Sequence, residues 1–295
     1  MSLLDHPIVA ALARLGLAEP ASFAAISTRV RDRDDVHALR CARSGVVVLN
    51  RVDHVTAGAY EDRGDLSYWG SADRAALLAS TFADDSRRAA LLKPMLAGKA
   101  LLDVGTGLGG LLDLLRDAEA ALAAVEPQRG ARDMLAAAGY TVYRGLDEAP
   151  PRGYDAVSAF HVLEHVPDQI GFLEQMRSRL KPGGLLVVEV PHANDALLTL
   201  YQSQAFLDFT LWSQHLVLHT RASLEGFIGA AGFRDVRVEG VQRYPLANHL
   251  HWLAAGKPGG HERWPFLKDG ILDAAYAGLL ASLDKTDTLM ATATA

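Results

Sequence analysis

Leu101-Leu102-Asp103-Val104-Gly105-Thr106-Gly107-Leu108-Gly109-Gly110 decides the reading of this chain. An apolar run ends on an acid and enters a turn of closely spaced glycines. Without a Cβ at those positions, backbone N–H groups can approach a ligand closely. Everything else in the sequence is interpreted outward from this turn.

From Lys99 onward strands and helices alternate. Ala100–Val104, Ala121–Glu126, Thr141–Arg144, Ala156–Phe160 and Leu185–Val190 read as strands. Gly109–Arg116, Gln128–Ala138 and Gln169–Leu180 read as the helices between them, the last stopped by Lys181-Pro182-Gly183-Gly184. This rhythm predicts an α/β fold with a doubly wound parallel sheet that binds ligands at the carboxyl ends of its strands. After Pro191 the alternation breaks. Ala196–Trp212 reads as one apolar, aromatic-rich helix, Ala222–Ala231 as a helix and Asp235–Val241 as a strand. Asp269–Asp284 is a late helix whose Leu272, Ala275, Leu279 and Leu283 serve core or oligomer packing, and a short Ala/Thr tail follows. Upstream, Gly45–Leu49 is a short strand and Ala72–Met95 is mostly helical. The expected division is an N-terminal cap over 1–95, a core over 96–255 with an insertion near 192–220, and a C-terminal loop and helix over 256–295.

The bulk composition narrows the function. The 295 residues are 49% hydrophobic and 22% charged, the balance of an ordinary globular protein. A net charge of -6 argues against a nucleic-acid partner. Cys41 is the single cysteine, so an internal disulfide and a multi-cysteine zinc site are excluded. No stretch reaches the roughly 18 to 20 apolar residues a bilayer span needs, and Met1 to Ala13 lacks the pattern of a signal peptide, so a cytoplasmic protein without a membrane partner is expected.

Three kinds of ligand suit the glycine turn: a dinucleotide, a nucleoside phosphate or S-adenosylmethionine (SAM). Gly105, Gly107 and Gly110 formally satisfy G-x-G-x-x-G, so the turn alone does not choose. Glu126, twenty-one residues beyond Gly105, ends the second strand, where a carboxylate accepts from both hydroxyls of a ribose. NAD and SAM share that ribose. Asp103 favours SAM, because its charge opposes a phosphate and attracts a methionine ammonium. Pinning the turn through backbone N–H groups is its structural alternative.

Leu101–Gly109, Glu126-Pro127, Tyr154-Asp155-Ala156-Val157, His161-Val162-Leu163-Glu164-His165-Val166 and Leu180-Lys181-Pro182-Gly183-Gly184 stand in the order seen in class I SAM-dependent methyltransferases. The chain resembles that family over roughly residues 95–241, and within it bacterial enzymes acting on sugars or other small molecules. The resemblance implies a seven-stranded Rossmann-like sheet with an N-terminal cap and a helical insertion. It also implies that Asp103, Gly105, Thr106, Gly107, Gly109, Glu126 and Pro127 hold SAM. Asp147 meets the adenine by this analogy, with Glu148 an equal candidate, and His161 lines the cofactor pocket. His161 and His165 are four apart, but the spacing is not H-E-x-x-H and no metal is expected.

Methyl transfer to a hydroxyl needs alignment and a base for the departing proton. Beyond the fifth strand, His192 and His215 are the candidate bases, with Asn194 and His219 as acceptor contacts. Thr220 is placed to cap the following helix. Tyr60, Tyr68 and Trp69 offer flat surfaces to a sugar or aromatic ring, with interdomain packing as their alternative. The expected function is SAM-dependent methylation of a small-molecule hydroxyl. N- or C-methylation of a similar substrate, an NAD-dependent oxidoreductase and a non-catalytic SAM-binding protein stay open, as does a homo-oligomer.

Overall fold

The computed structural model describes residues 3–55 and 74–295; Tyr60, Tyr68 and Trp69 lie outside them. The chain opens with α1 (Pro7–Arg14) and three strands, β1 (Phe23–Ser27), β2 (Ala38–Cys41) and β3 (Val47–Leu49). Then come α2 (Arg74–Leu96), β4 (Ala100–Val104), α3 (Gly110–Leu114), β5 (Ala121–Val125), α4 (Arg129–Ala137), β6 (Thr141–Tyr143) and β7 (Tyr154–Phe160). The second half holds α5 (Gln169–Arg179), β8 (Leu180–Pro191), α6 (Ala196–Thr199), α7 (Gln204–Thr210), β9 (Val217–Leu218), α8 (Arg221–Ala230) and β10 (Arg234–Val241). It ends with α9 (Leu246–Ala255), α10 (Gly260–Arg263), α11 (Gly270–Ser282) and β11 (Thr288–Thr294).

Seven strands form the central sheet in the order β10-β11-β8-β7-β4-β5-β6. The five strands from β8 to β6 are parallel, and β11 runs antiparallel between β8 and β10. Successive residues of β4 face opposite sides, as the two-residue repeat of a strand requires. Leu101 belongs to one apolar cluster with Ala89, Leu92 and Leu96 of α2, while Leu102 and Val104 belong to another that includes Leu173 of α5 and Phe227 of α8. The chain winds one way from β4 to β6 and the other way through β7 and β8. The switch point therefore lies between β4 and β7, with Gly105 and His161 at its open end.

Two expectations need correction. The single helix over Ala196–Trp212 is two short ones, because Gln202 takes a left-handed φ of 50° and Ser203 then caps α7 by accepting from Phe206 N at 3.3 Å. The Ala/Thr tail is β11: Leu289, Ala291 and Ala293 are buried at every second position, so 256–295 is more than a loop and helix. In the N-terminal region the strand expected over Gly45–Leu49 is present as β3, within a larger sheet. β1, β2 and β3 form an antiparallel sheet that β9 completes, and its buried Val46–Leu49 joins the same apolar cluster as Leu102 and Val188. Among the described residues no helix is long and apolar enough to cross a membrane.

Candidate active site

β4 delivers the chain into the glycine turn, where Gly105, Gly107 and Gly109 have φ of 72°, 59° and 78°, a region that strains any residue with a Cβ. A Cβ on Gly105 would also strike Val162, so glycine lets the segment after β7 close on the turn. Glu126 follows β5 and is 4% exposed. Its two oxygens accept from Gly107 N and Gln128 N, each at 2.9 Å, which fixes the turn against the carboxylate. Burial pushes its pKa up to about 7, against the pull of those two N–H groups. A cavity of about 390 Å³ opens here, with Gly105, Glu126, Pro127, Asp147, His161 and Phe172 in its wall. Glu148 instead accepts from Arg144 N at 2.8 Å, so Asp147 is the acid facing the cavity. A carboxylate at one strand end, a second acid farther along and apolar flanks fit an adenosine group.

Two further cavities adjoin. One, of about 420 Å³, lies between the glycine turn and α2 and includes Gly105, Thr106, Gly107, Asp85 and Arg88. The other, of about 340 Å³, is bordered by Phe206, Phe209, Trp252, Asp195 and His249. His161 lines all three, and His215 and Arg243 line the last two. His161 sits at φ 55°, a strained conformation for a non-glycine residue. Its Nδ1 is bonded to Glu164 Oε1 at 3.1 Å, and its Nε2 lies 3.2 Å from Glu189 Oε1. Burial and Arg243 disfavour its charge, but the two carboxylates prevail and raise its pKa. Glu189 in turn receives Arg88 through Nε at 3.2 Å and Nη2 at 2.5 Å, and Arg88 lies over the Phe160 ring at 4.7 Å. His215 is the opposite case. Burial lowers its pKa to about 4, its Nδ1 has no hydrogen-bond partner among the described residues, and its ring stands 5.1 Å from that of His165.

Comparison with known proteins places the chain in a family. Residues 74–238 match the family model described as a methyltransferase domain, more than half of the sequence. The chain belongs to the methyltransferase domain family. It is a class I methyltransferase that uses SAM. It is 28% identical over 165 residues to a ubiquinone biosynthesis O-methyltransferase of Ralstonia nicotianae, covering 51% of this chain and 69% of that one. A trans-aconitate 2-methyltransferase of Rhodopseudomonas palustris is 31% identical over 121 residues, 39% of this chain and 43% of the relative. The fold matches a SAM-dependent methyltransferase from Archaeoglobus fulgidus with a TM-score of 0.51 at 17% identity, over 78% of this chain and 97% of that one.

The remaining candidates of this methyltransferase divide sharply. Gly105, Thr106 and Gly107 face the joined cavities, while Gly109 packs against Leu135 of α4. Asp103 is withdrawn: 3% exposed, it accepts from Ser158 Oγ at 2.7 Å across the β4–β7 pair and lines none of the three cavities. Burial lifts its pKa to about 6. His192, Asn194 and His219 are tied into the scaffold. His192 Nδ1 is bonded to Thr286 O at 2.9 Å. Asn194 accepts from Arg40 Nη2 at 2.9 Å and donates to Asp284 Oδ2 at 3.0 Å. His219 uses both ring nitrogens, on Ser223 Oγ and Gln169 Oε1 at 2.9 Å each. None of the three lines any of these cavities. Thr220 caps α8 in a capping box with Ser223.

Glu164, Glu189, Asp84, Arg88 and Arg243 were missed from sequence. Glu189 left a readable trace, an acid inside the apolar run Leu185–Val190 that a buried strand keeps only if it is paired. Among the described residues, Glu164, His165 and His215 form one group whose ligand-type atoms all lie within 4.8 Å of one another, a spacing that fits a cation.

Proposed function

We propose that the enzyme methylates a hydroxyl group of a small molecule, with His215 as general base. SAM supplies an electrophilic methyl group on a sulfonium. As the acceptor oxygen forms its bond to that methyl and the carbon–sulfur bond breaks, the hydroxyl proton passes to His215 Nδ1. The observation that carries this reading is the placement of the His215 imidazole: its Nδ1 has no hydrogen-bond partner among the described residues, and its ring lines both the cavity bordered by Phe206 and Trp252 and the cavity beside the glycine turn. His161 is less suited to that role because Glu164 holds its Nδ1 and Glu189 Oε1 lies 3.2 Å from its Nε2. It serves as a fixed wall where the cavities join.

The cavity beyond His215 combines the flat faces of Phe206, Phe209 and Trp252 with Asp195, Asn248 and His249. Such a wall suits a ring carrying several hydroxyls, a sugar or another secondary metabolite. Incubating the enzyme with methyl-labelled SAM and a metabolite extract, followed by mass identification of the product, tests the reaction class. Label on nitrogen or carbon would overturn hydroxyl transfer. With the acceptor in hand, His215→Gln lowers kcat by about 10²- to 10⁴-fold while SAM affinity is retained. A chelator leaves turnover unchanged; loss of activity restored by a divalent cation would make His215 a ligand instead of the base.

A further inference from the structure

The glycine turn has a second wall, supplied by α2. Arg74, in the first turn of that helix, donates to Leu108 O from Nε at 3.0 Å and from Nη2 at 2.7 Å, and to Asp113 at 2.7 Å, clamping helix to turn. Farther along α2, Asp85 packs on Gly110 so tightly that a Cβ there would collide with its carboxylate. Asp85 lines the cavity under α2 together with Gly105, Thr106 and Gly107. That cavity meets the Glu126 cavity at Gly105 and His161. An adenosine seated against Glu126 and Asp147 thus leaves the amino-acid end of SAM to pass Gly105 toward α2.

Three carboxylates stand near that path, and their partners separate them. Asp84 is engaged by Arg243 Nε at 3.0 and 3.1 Å, by Arg243 Nη2 and by Arg87 at 3.1 Å. Asp103 is sealed beneath the turn by Ser158. Asp85 has a neutral donor, Thr81 Oγ1 at 2.7 Å, and a long 3.5 Å contact to Arg88 Nη1, whose stronger bonds go to Glu189. We propose that Asp85 on α2, rather than Asp103, binds the α-ammonium group of SAM. The proposal rests on SAM as the donor of this site. Burial raises the Asp85 pKa against the pull of Thr81 and Arg88, so an incoming cation meets a carboxylate short of compensating charge.

Calorimetry with three probes tests it. S-adenosylhomocysteine carries the whole amino-acid end, decarboxylated SAM keeps the amine but lacks the carboxylate, and 5′-methylthioadenosine lacks both. Asp85→Asn weakens the first two by roughly tenfold or more and leaves methylthioadenosine within about twofold, as removal of one charge-assisted bond requires. Retained methylthioadenosine binding also shows that the variant is folded, and Asp85→Ser, which preserves a partner for Thr81, gives the same pattern. Equal losses for all three probes, no loss for any, or a loss confined to S-adenosylhomocysteine would overturn the assignment. Glu126→Ala separates this from the adenosine reading, since it weakens all three probes whatever Asp85 does.

Discussion

Glu126 is poised to couple ligand binding to proton release. Its pKa of about 7 leaves roughly half the molecules protonated at neutrality in the absence of ligand. A ribose diol donates to the ionised form, so binding draws the proton off. SAM affinity therefore falls as pH drops below 7, approaching about tenfold per pH unit, and the proton count appears as a buffer-dependent binding enthalpy. Glu126→Gln flattens that profile, and Glu126→Ala lowers affinity at every pH; unchanged affinity in Glu126→Ala would remove the ribose assignment. At this scale the sequence exposed half of the candidate site. Glycines at positive φ and an acid ending a strand are local chemistry, visible in one line of residues. Whether Asp103 faces a ligand or the sheet depends on Ser158, fifty-five residues away, and His215 differs from His192 only in what surrounds it.

β8 carries Glu189 at its carboxyl end and α2 carries Arg88, and the ion pair between them fixes both elements to His161. With Glu189 fully buried and Arg88 8% exposed, removing one partner strands a charge. Glu189→Ala is expected to lower stability by about 3–5 kcal/mol, measured by denaturant unfolding. A Glu189→Leu/Arg88→Met double variant recovers most of that loss; equal instability of the double would show that the pair itself supplies the stability. β4, β5 and β8 were legible as elements because they hold apolar runs ended by Gly105, Glu126 and Pro191. The bounds of β8 were not. Tyr154 pairs with Leu180 and Ala156 with Leu185, so Lys181–Gly184 loop out of a strand that had begun earlier. The break between α6 and α7 was hidden for a related reason, since a positive φ at Gln202 leaves no mark in hydrophobic periodicity.

Across the whole molecule, the four-stranded N-terminal sheet and the seven-stranded sheet share one apolar cluster from Ile8 to Ala293. We expect a single unfolding transition with coincident fluorescence and circular-dichroism curves, and two resolved transitions would contradict a common core. This unity was the least legible level, because strand pairing between Val47 and Leu218 joins segments that share no local pattern. The pairing has a consequence for engineering. The stretch over 192–220 borders the proposed acceptor cavity through Phe206 and Phe209, yet it ends in β9, an edge of the N-terminal sheet. Grafting that stretch from a relative as a cassette would import a strand cut to another protein's edge. Substrate range is better diversified one side chain at a time, at Phe206, Phe209 and Trp252, where new shapes can be tried without reopening a sheet.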